Sequence, residues 1–506
     1  MGRFGTGVAR ICAVVAARAS AEMAAGVRAA LREASTLELR LDWLRSDAER
    51  SLFLRWLRKH RPRRALFIAT CRRREGGGLF SGNVQAELYW LAQAREAGCL
   101  WCDLEIETLR KLPGNSLRTY SIPSRVLLSA HDFRRTPPLP PLLPRRFSRE
   151  ADAIKIAATA CSVADSVRLL RFARKTPNSV VVSMGEIGLP ARLLALREGS
   201  ALAYAPVSAA TAPGQVSLRE LKHLYRAHRV NRQTRVYGVI GNPVAHSLSP
   251  LLHNTAFQAR KLNAVYLPFL VKDLRDFLSS AADFGLRGFS VTLPHKQAIL
   301  KHLGTCETLA AEIGAVNTVT VRSDGSLYGS NTDYVGVLRS LQEKISLARS
   351  RILILGAGGS ARAAAFALAR AGSTVCICAR RDSAARELAR AAGGEVIPRR
   401  AVRSESFDAI LNATPIGMHP HTAISPLISR ELHCRIVMDL IYRPERTRLL
   451  QLAAKKGIAT VSGVEMFLAQ GIAQWEIWMK RPAPEAAMRR AVLAALRNEN
   501  RSRSSS

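Results

Sequence analysis

Residues 351–365, RILILGAGGSARAAA, constrain the fold of this chain more than any other stretch. An apolar, β-branched run at 352–355 is followed by a glycine turn and then by an Ala-rich segment of high helix propensity. The turn consists of Gly356, Ala357, Gly358, Gly359, Ser360 and Ala361. This order predicts a strand, a tight turn and a helix whose free N–H groups face a pyrophosphate, which makes these six residues candidates for dinucleotide binding. A tight turn without a ligand is the alternative interpretation.

Length and composition indicate a large protein with several domains. The chain has 506 residues, of which 48% are hydrophobic and 23% charged, so we expect two or three globular domains and no membrane span. The first residues carry arginines and no acidic residue, but Arg18 interrupts their short apolar stretch. We therefore predict a short tail and a first strand rather than a signal or transit peptide, and a cytoplasmic location. The nine cysteines are scattered, and the only tight groupings, Cys99 with Cys102 and Cys376 with Cys378, lie in apolar runs, which predicts buried thiols there rather than a metal or redox site.

The formal net charge of +36 allows two interpretations. One is a protein that binds nucleic acid, and the other is a solvated, arginine-rich surface with sites for small anionic ligands. Aromatic residues make up only 6% of the chain and are not interleaved with basic ones. We therefore expect small-molecule substrates, with no specific nucleic-acid partner and no membrane partner.

Eight short apolar runs, separated by helical segments, occupy the first 207 residues. The predicted strands lie at 11–16, 37–41, 65–70, 100–106, 126–130, 153–157, 179–183 and 201–207. Eight strands that alternate with helices predict a (β/α)8 barrel, in which the active site lies where the strands end.

Polar side chains fall on or just after several of these strands. They are Glu38, Arg40, Asp42, Glu75, Asp103, Glu105, His131, Asp132 and Lys155. Lys155 lies between two isoleucines, and burial lowers the pKa of an amine, which favours attack on a ketone to form a Schiff base. A lysine that reaches solvent from a strand end is the alternative. Because His131 ends the preceding strand, we expect a nucleophile and a proton carrier at one rim.

The motifs ELRLD, EGGG, SAHDF, IKIA, SMG followed by Arg192, and TAPGQ occur in this order within about residues 10–225. The set resembles type I 3-dehydroquinate dehydratases, which are Schiff-base (β/α)8 enzymes. The resemblance implies that Lys155 forms the imine, that His131 transfers the proton and that Glu75 orients His131. The implied substrate-binding residues are Glu38, Arg40, Arg72, Arg192, Thr211 and Gln215. The spacing before Glu75 is one residue shorter than is usual in the family, which leaves open which of Arg72 to Arg74 enters the site.

A closing helix at 217–226 and a basic linker at 227–234 are predicted to precede a second domain. Its motifs, in order, are HSLSP, SVTLPHK, GAVNT, NTD, GAGGSA, NATPIGM and GVEMFLAQ. Taken singly, the two serines of the first motif suit helix capping, and a lone lysine or aspartate is usually solvated. Together the motifs resemble shikimate dehydrogenases over residues 235 to about 495.

The second resemblance implies that Lys296 and Asp333 form a catalytic pair. A lysine held charged by an aspartate can protonate the alkoxide that develops as hydride arrives. The implied substrate-binding residues are Ser247, Ser249, Thr292, Asn317, Tyr442 and Gln470. Thr414, Gly463 and Met466 are implied at the cofactor, together with the glycine turn.

Two arginines, Arg380 and Arg381, end the strand that follows the glycine turn. Dinucleotide-binding folds that select NAD commonly have an acidic residue there, whereas arginine favours the 2′-phosphate of NADP. The family often has Asn-Arg-Thr at this position, so only Arg380 corresponds directly. NADP is the predicted cofactor.

The whole sequence predicts an α/β protein in which a (β/α)8 barrel is followed by a two-lobed dehydrogenase with a Rossmann NADP-binding lobe. The predicted segments are 1–226 (barrel), 227–234 (linker), 235–345 (substrate lobe), 346–470 (cofactor lobe), 471–496 (returning helices) and 497–506 (disordered tail). The predicted function joins two steps of the shikimate pathway: dehydration of 3-dehydroquinate, then NADPH-dependent reduction of 3-dehydroshikimate by a monomer or homodimer. The alternatives are an NAD-dependent quinate/shikimate dehydrogenase and a non-catalytic regulator or polyanion-binding protein.

Overall fold

The computed structural model describes residues 10–112, 125–139, 151–176, 179–207 and 216–504. Two compact units are formed by Met1–Val236 with Asn263–Gly285 and by Tyr237–Leu262 with Leu286–Ser506. The predicted lobe boundaries at 345 and 470 stay a prediction. No helix in the described ranges is long and apolar enough to cross a membrane.

The first sheet has eight strands and is nearly closed. Its strands are β1 Ile11–Val15, β2 Thr36–Arg40, β3 Leu66–Thr70, β4 Trp101–Glu105, β5 Arg125–Asp132, β6 Ala153–Thr159, β7 Val180–Met184 and β8 Ala203–Pro206. They pair in parallel in the order β7-β6-β5-β4-β3-β2-β1-β8. Between the two end strands, the Ala201 N–H donates to the Ser179 carbonyl at 2.8 Å. The predicted barrel is confirmed, and each predicted strand lies within two residues of the observed one.

Helices follow most of these strands. They are α1 Ser20–Leu31, α2 Asp47–His60, α3 Val84–Glu96, α4 Ile106–Arg110, α5 Val163–Lys175 and α6 Leu189–Glu198. A further helical turn at Glu220–Leu224 lies within the predicted closing helix.

Side chains inside the barrel form layers because alternate residues of a strand share a face. Trp101, Leu127 and Ala153 belong to one buried apolar cluster on β4, β5 and β6. Two residues further along the same strands, Asp103, Ser129 and Lys155 form the next layer, and all three are buried. Glu105 and His131 follow after another two residues. The strand period therefore places the polar side chains above an apolar floor, toward the carboxyl ends of the strands.

The second sheet has six strands in the order β10-β9-β11-β13-β14-β12. The strands are β9 Arg235–Gly241, β10 Ala264–Leu270, β11 Leu286–Val291, β12 Thr305–Cys306, β13 Thr318–Val321 and β14 Leu327–Ser330. The helices of this region are α7 Ser249–Ala259, α8 Leu274–Phe284, α9 Thr308–Ile313 and α10 Asp333–Gln342.

The third sheet has the strand order of a dinucleotide-binding fold, β17-β16-β15-β18-β19-β20, and its neighbours are parallel. Its strands are β15 Arg351–Leu355, β16 Thr374–Cys378, β17 Glu395–Val396, β18 Phe407–Asn412, β19 Cys434–Asp439 and β20 Ala459–Val461. The helices are α11 Gly359–Arg370, α12 Asp382–Ala392, α13 Arg448–Lys455, α14 Gly463–Met479 and α15 Glu485–Ser504. The order reverses between β15 and β18, and ligands bind such sheets at the carboxyl ends of the strands beside this point.

The structure differs from the predicted disordered tail, because α15 continues to Ser504. Glu499 on this helix forms a two-pronged ion pair with Arg443, with 2.7 Å between Arg443 Nε and Glu499 Oε2. This contact attaches the last turns of α15 to the loop after β19, which the polar composition of the segment did not reveal.

Two candidate active sites

Lys155 lies in a buried cluster of charges inside the barrel. Its Nζ atom is 2.7 Å from Oδ2 of Asp103, 3.3 Å from Oε1 of Glu38 and 4.3 Å from the ring centroid of Tyr204. Burial lowers the pKa of Lys155, but the two carboxylates outweigh it, so the pKa lies above its usual value. The predicted depression of this pKa is wrong for this structure, because β2 and β4 place carboxylates beside the amine.

His131 contacts a carboxylate at the same end of the barrel. Its Nδ1 atom lies 2.9 Å from Oε1 of Glu105, and this oxygen is 2.6 Å from Nε of Arg72. Burial and the positive charge of Arg72 lower the pKa of His131 and outweigh the opposite effect of Glu105. The imidazole is therefore neutral near pH 7 and able to accept a proton.

The structure does not bring Glu75 to His131. The Glu75 carboxylate pairs with NH1 of Arg73 at 2.8 Å and with Nζ of Lys111, and 56% of its side chain is exposed. Arg73 is buried, and its Nε atom lies 2.8 Å from Oε2 of Glu87, which fixes the loop after β3. The contact with His131 that the resemblance assigns to Glu75 is made by Glu105.

Arg72 is the arginine of the 72–74 run that enters the cluster. Besides its contact with Glu105, its NH2 atom lies 3.4 Å from Oδ1 of Asp103. Sequence reasoning gave no role to Glu105 or Asp103, although two acidic residues at alternate positions of a buried strand were the available signal.

Arg192 is a buried cation that no carboxylate contacts in the described part of the chain. It lies on α6, is 6% exposed, and donates from Nε to the Ser183 carbonyl at 3.1 Å. Burial lowers its pKa to about 10. Arg40, by contrast, is neutralised by Asp42 through two hydrogen bonds of 2.9 and 2.8 Å. Arg192 is thus the side chain best suited to an anionic group of a ligand. Two further predicted residues, Thr211 and Gln215, lie outside the described residues.

Lys296 and Asp333 are in contact in the second unit, 2.5 Å apart between Nζ and Oδ2. Asp333 begins α10, where the helix dipole favours a negative charge, and its Oδ1 atom accepts from Nδ2 of Asn317 at 2.7 Å. Nζ of Lys296 also donates to Oγ of Ser360 at 3.2 Å. Predicted catalytic, substrate-binding and cofactor-binding residues therefore meet at one position.

The glycine turn lies directly against Lys296. A Cβ atom at Gly359 would be 3.4 Å from Cβ and Cδ of Lys296, whereas one at Gly358 would meet nothing within 4 Å. Gly356 has φ +111°, a conformation that favours glycine, and a Cβ there would lie 3.2 Å from the Thr414 methyl group. No side chain caps the start of α11. The turn therefore offers free N–H groups and open space to a phosphate.

The exposed Arg380 and Arg381 follow β16, which pairs with β15 and therefore ends beside the glycine turn. Ala361 packs in the interior at the base of the same turn. This placement fits the 2′-phosphate of a dinucleotide.

The remaining predicted residues surround helix α14 and the start of α7. The ring of Tyr442 stacks on Phe467 with 4.5 Å between centroids, and its hydroxyl lies close to Ser247. The Oγ atom of Ser247 in turn accepts from the Ser249 N–H at 3.2 Å. Gln470 is buried on α14.

Three other predicted residues, Met466, Gly463 and Thr292, lie at closely packed positions. A Cβ at Gly336 of α10 would lie 2.8 Å from the Met466 carbonyl, one at Gly463 would lie 2.5 Å from the Ile441 carbonyl, and one at Gly241 would lie 2.5 Å from Cγ2 of Thr292.

Known families match both parts of the chain. Residues 11–232 match type I 3-dehydroquinase, residues 239–319 match the shikimate dehydrogenase substrate binding domain, and residues 463–493 match the shikimate 5′-dehydrogenase C-terminal domain. The chloroplastic bifunctional 3-dehydroquinate dehydratase/shikimate dehydrogenase of Arabidopsis thaliana is 34% identical over 481 residues, which cover 89% of this chain and 79% of that protein. The chain belongs to this bifunctional dehydratase/dehydrogenase family. Both resemblances drawn from the sequence are thereby confirmed.

Relatives of the dehydrogenase half include the shikimate dehydrogenase (NADP(+)) of Methanothermobacter thermautotrophicus. It is 40% identical over 285 residues, which cover 53% of this chain and all of that protein. A crystal structure of a shikimate dehydrogenase in complex with NADP+ has a TM-score of 0.50 at 36% identity, and the match covers 53% of this chain and 97% of that one.

Proposed function

We propose that this bifunctional enzyme dehydrates 3-dehydroquinate in its barrel and reduces the product, 3-dehydroshikimate, with NADPH in its second unit. The observation that carries the proposal is that one chain holds both a buried lysine and a histidine on paired barrel strands and a Lys–Asp pair against a glycine turn. The product of the first site is the substrate of the second.

In the barrel, Lys155 is the nucleophile. Its amine must give up a proton before it attacks the ketone, because Asp103 and Glu38 hold the ammonium form. Substrate hydroxyls that hydrogen-bond to Glu38 weaken its electrostatic stabilisation of the ammonium form. The C–N bond then forms and the carbonyl oxygen leaves as water, which gives the imine.

His131 next removes the C2 proton, and the electron pair moves into the imine. The same imidazole returns the proton to the hydroxyl that leaves as water, and hydrolysis of the imine frees Lys155. Glu105 accepts a hydrogen bond from Nδ1 of His131, which leaves Nε2 to take the proton. Arg192 binds the substrate carboxylate, since its charge is not neutralised by any described carboxylate.

The residues of the second unit fit NADP. The open side of Gly358 and the uncapped start of α11 suit the pyrophosphate, and Arg380 suits the 2′-phosphate. When bound as NADPH, the cofactor supplies the hydride. Lys296 donates the proton to the carbonyl oxygen that becomes the alcohol, and Asp333 holds the ammonium group in place.

Three further predicted substrate residues lie in the same unit as this pair. Tyr442 lies close to Ser247, which accepts a hydrogen bond from the Ser249 N–H, and we assign to these three residues the carboxylate of the substrate. A cytoplasmic location belongs to the proposal as well, although the Arabidopsis relative is chloroplastic.

The test supplies the full chain with 3-dehydroquinate and NADPH and follows both NADPH absorbance and shikimate by chromatography. We expect one NADPH consumed for each shikimate formed. A parallel assay starts from 3-dehydroshikimate. Consumption in the second assay alone would contradict the dehydratase half, and no consumption in either would contradict the dehydrogenase half.

A further inference from the structure

Asp439 is a buried carboxylate to which the proposed reaction gives no role. It ends β19, is 0% exposed, and no cationic side chain contacts it among the described residues. Burial raises its pKa to about 6. A carboxyl group buried without a cation is unfavourable unless hydrogen bonds compensate for the lost solvation.

Its three partners lie on three different segments. Oδ1 accepts from Nδ2 of Asn412 and from the Ile441 N–H, both at 3.0 Å, and Oδ2 accepts from the hydroxyl of Thr447 at 2.6 Å. Asn412 ends β18, Ile441 lies in the loop after β19, and Thr447 is the N-cap of α13. One carboxylate therefore ties together the ends of two adjacent strands and the start of a helix.

The first partner, Asn412, hydrogen-bonds to residues that border the glycine turn. Oδ1 of Asn412 accepts from the backbone N–H of Thr414 at 3.0 Å and from its hydroxyl at 2.7 Å, and its Nδ2 donates to the Ile416 carbonyl at 3.3 Å. The Thr414 methyl group borders Gly356 of the glycine turn. The conformation of residues 413–417, here named the cofactor loop, thus depends on the Asn412 amide, which Asp439 orients.

The second and third partners, Ile441 and Thr447, lie in the segment that contains Tyr442, a predicted substrate-binding residue. Ile441 directly precedes Tyr442, and the Ile441 carbonyl lies against Gly463 at the start of α14. Thr447 closes the same stretch, residues 440–447, here named the substrate loop. Both ends of the substrate loop are therefore hydrogen-bonded to Asp439.

We propose that Asp439 is a positioning residue of the dehydrogenase site, which sets the cofactor loop and the substrate loop relative to each other through Asn412, Ile441 and Thr447. The inference rests on the proposed function, because it takes Thr414 and Tyr442 as ligand-binding residues. Lys296 and Asp333 lie on other elements, after β11 and at the start of α10. Loss of Asp439 should therefore weaken binding of both ligands more than it slows the chemical step.

The test measures steady-state kinetics of the full chain with NADPH and 3-dehydroshikimate. We expect Asp439→Ala to raise KM for both substrates about tenfold while kcat changes less than about threefold. Asp439→Asn should restore both KM values to within about twofold, because its amide oxygen still accepts from Asn412 and Ile441 and the Thr447 hydroxyl can turn to accept from the amide nitrogen. Dehydratase activity of the same samples should stay unchanged.

Asp408→Ala is the matched control. Asp408 lies on β18 of the same sheet and accepts from the Arg351 N–H at 2.9 Å, so its loss perturbs the sheet at the end opposite the two loops. Equal KM increases in Asp408→Ala and Asp439→Ala, unchanged KM values in Asp439→Ala, or no rescue by Asp439→Asn would each overturn the proposal. A wild-type chain that does not reduce 3-dehydroshikimate overturns the proposed function itself.

A second variant keeps the test decisive if Asp439→Ala does not fold. Asn412→Ala removes the link to the cofactor loop and leaves the bonds of Asp439 to Ile441 and Thr447 in place, so KM for NADPH should rise several-fold and KM for 3-dehydroshikimate should stay within about twofold of the wild type. An unchanged KM for NADPH in this variant would refute the role of Asp439 on the cofactor side.

Discussion

Nδ1 of His131 lies 2.9 Å from Oε1 of Glu105, whereas the carboxylate of Glu75 pairs with Arg73 and Lys111. The family resemblance assigns the orientation of the histidine to Glu75, yet the structure gives this contact to a residue on β4. A carboxylate at Nδ1 fixes the tautomer of the imidazole and stabilises the imidazolium that forms on proton transfer.

Glu105→Gln is expected to lower kcat of the dehydratase about 100-fold, because the amide orients the imidazole poorly and does not stabilise its cation. Glu75→Gln, the matched control, should keep kcat within about threefold of the wild type. Initial rates of enone formation from 3-dehydroquinate measure both. A larger loss of kcat in Glu75→Gln than in Glu105→Gln would indicate that Glu75, and not Glu105, orients His131.

The pH dependence of the dehydratase should reflect the lowered pKa of His131. The base acts in its neutral form, so kcat/KM falls as the pH drops through this pKa, and the acid limb should lie below about pH 6.5. Glu105 raises the pKa of His131, so Glu105→Gln should move the limb to still lower pH. A limb above pH 7 in the wild type, or a shift upward in the variant, would contradict this assignment.

Lys155 is expected to carry the covalent intermediate. Borohydride added with 3-dehydroquinate should reduce the imine to a stable adduct, which mass spectrometry of a digest would place on the peptide that contains Lys155. The Lys296→Ala variant should give the same adduct in the same yield. An adduct on any other lysine would refute the imine assignment.

Much of the fold could be predicted from the sequence, because the barrel strands are short apolar runs that a fixed period converts into layers. The same period brought Lys155 and His131 to one end of the barrel. The pKa of Lys155 could not be predicted, because it depends on Asp103 and Glu38 from two other strands. Burial alone predicts a lowered pKa, whereas the pKa of Lys155 is raised.

The loop after β3 is a second feature that could not be predicted from the sequence. Three consecutive arginines precede Glu75, and two of them are buried: Arg73 pairs with Glu87 on α3, whereas Arg72 pairs with Asp103 and Glu105 in the barrel. Asp439 was missed for a related reason. A single aspartate after an apolar strand has no distinctive pattern, and its partners become evident only when β18 and β19 lie side by side.

Lys296→Ala should abolish the reduction of 3-dehydroshikimate, with a loss of at least about 1,000-fold in kcat, because the developing alkoxide loses its proton donor. Dehydration of 3-dehydroquinate by the same sample should stay within about twofold of the wild type. Lys301→Ala, at an exposed lysine five residues further on, is the control and should retain reduction. Joint loss of both activities in Lys296→Ala would show that the two sites do not act independently.

Arg380 should determine the preference between the two nicotinamide cofactors. It is exposed after β16, beside the glycine turn, where a guanidinium can make charge-assisted hydrogen bonds to a 2′-phosphate that NADH lacks. We expect Arg380→Ala to lower the ratio of kcat/KM with NADPH to that with NADH about 10- to 100-fold, mainly through KM for NADPH. Arg403→Ala, at an exposed arginine that precedes β18 at the other end of the sheet, should leave the ratio unchanged. A wild-type enzyme that prefers NADH would contradict the NADP assignment. An unchanged ratio in Arg380→Ala would indicate that another residue, such as Arg381, binds the 2′-phosphate.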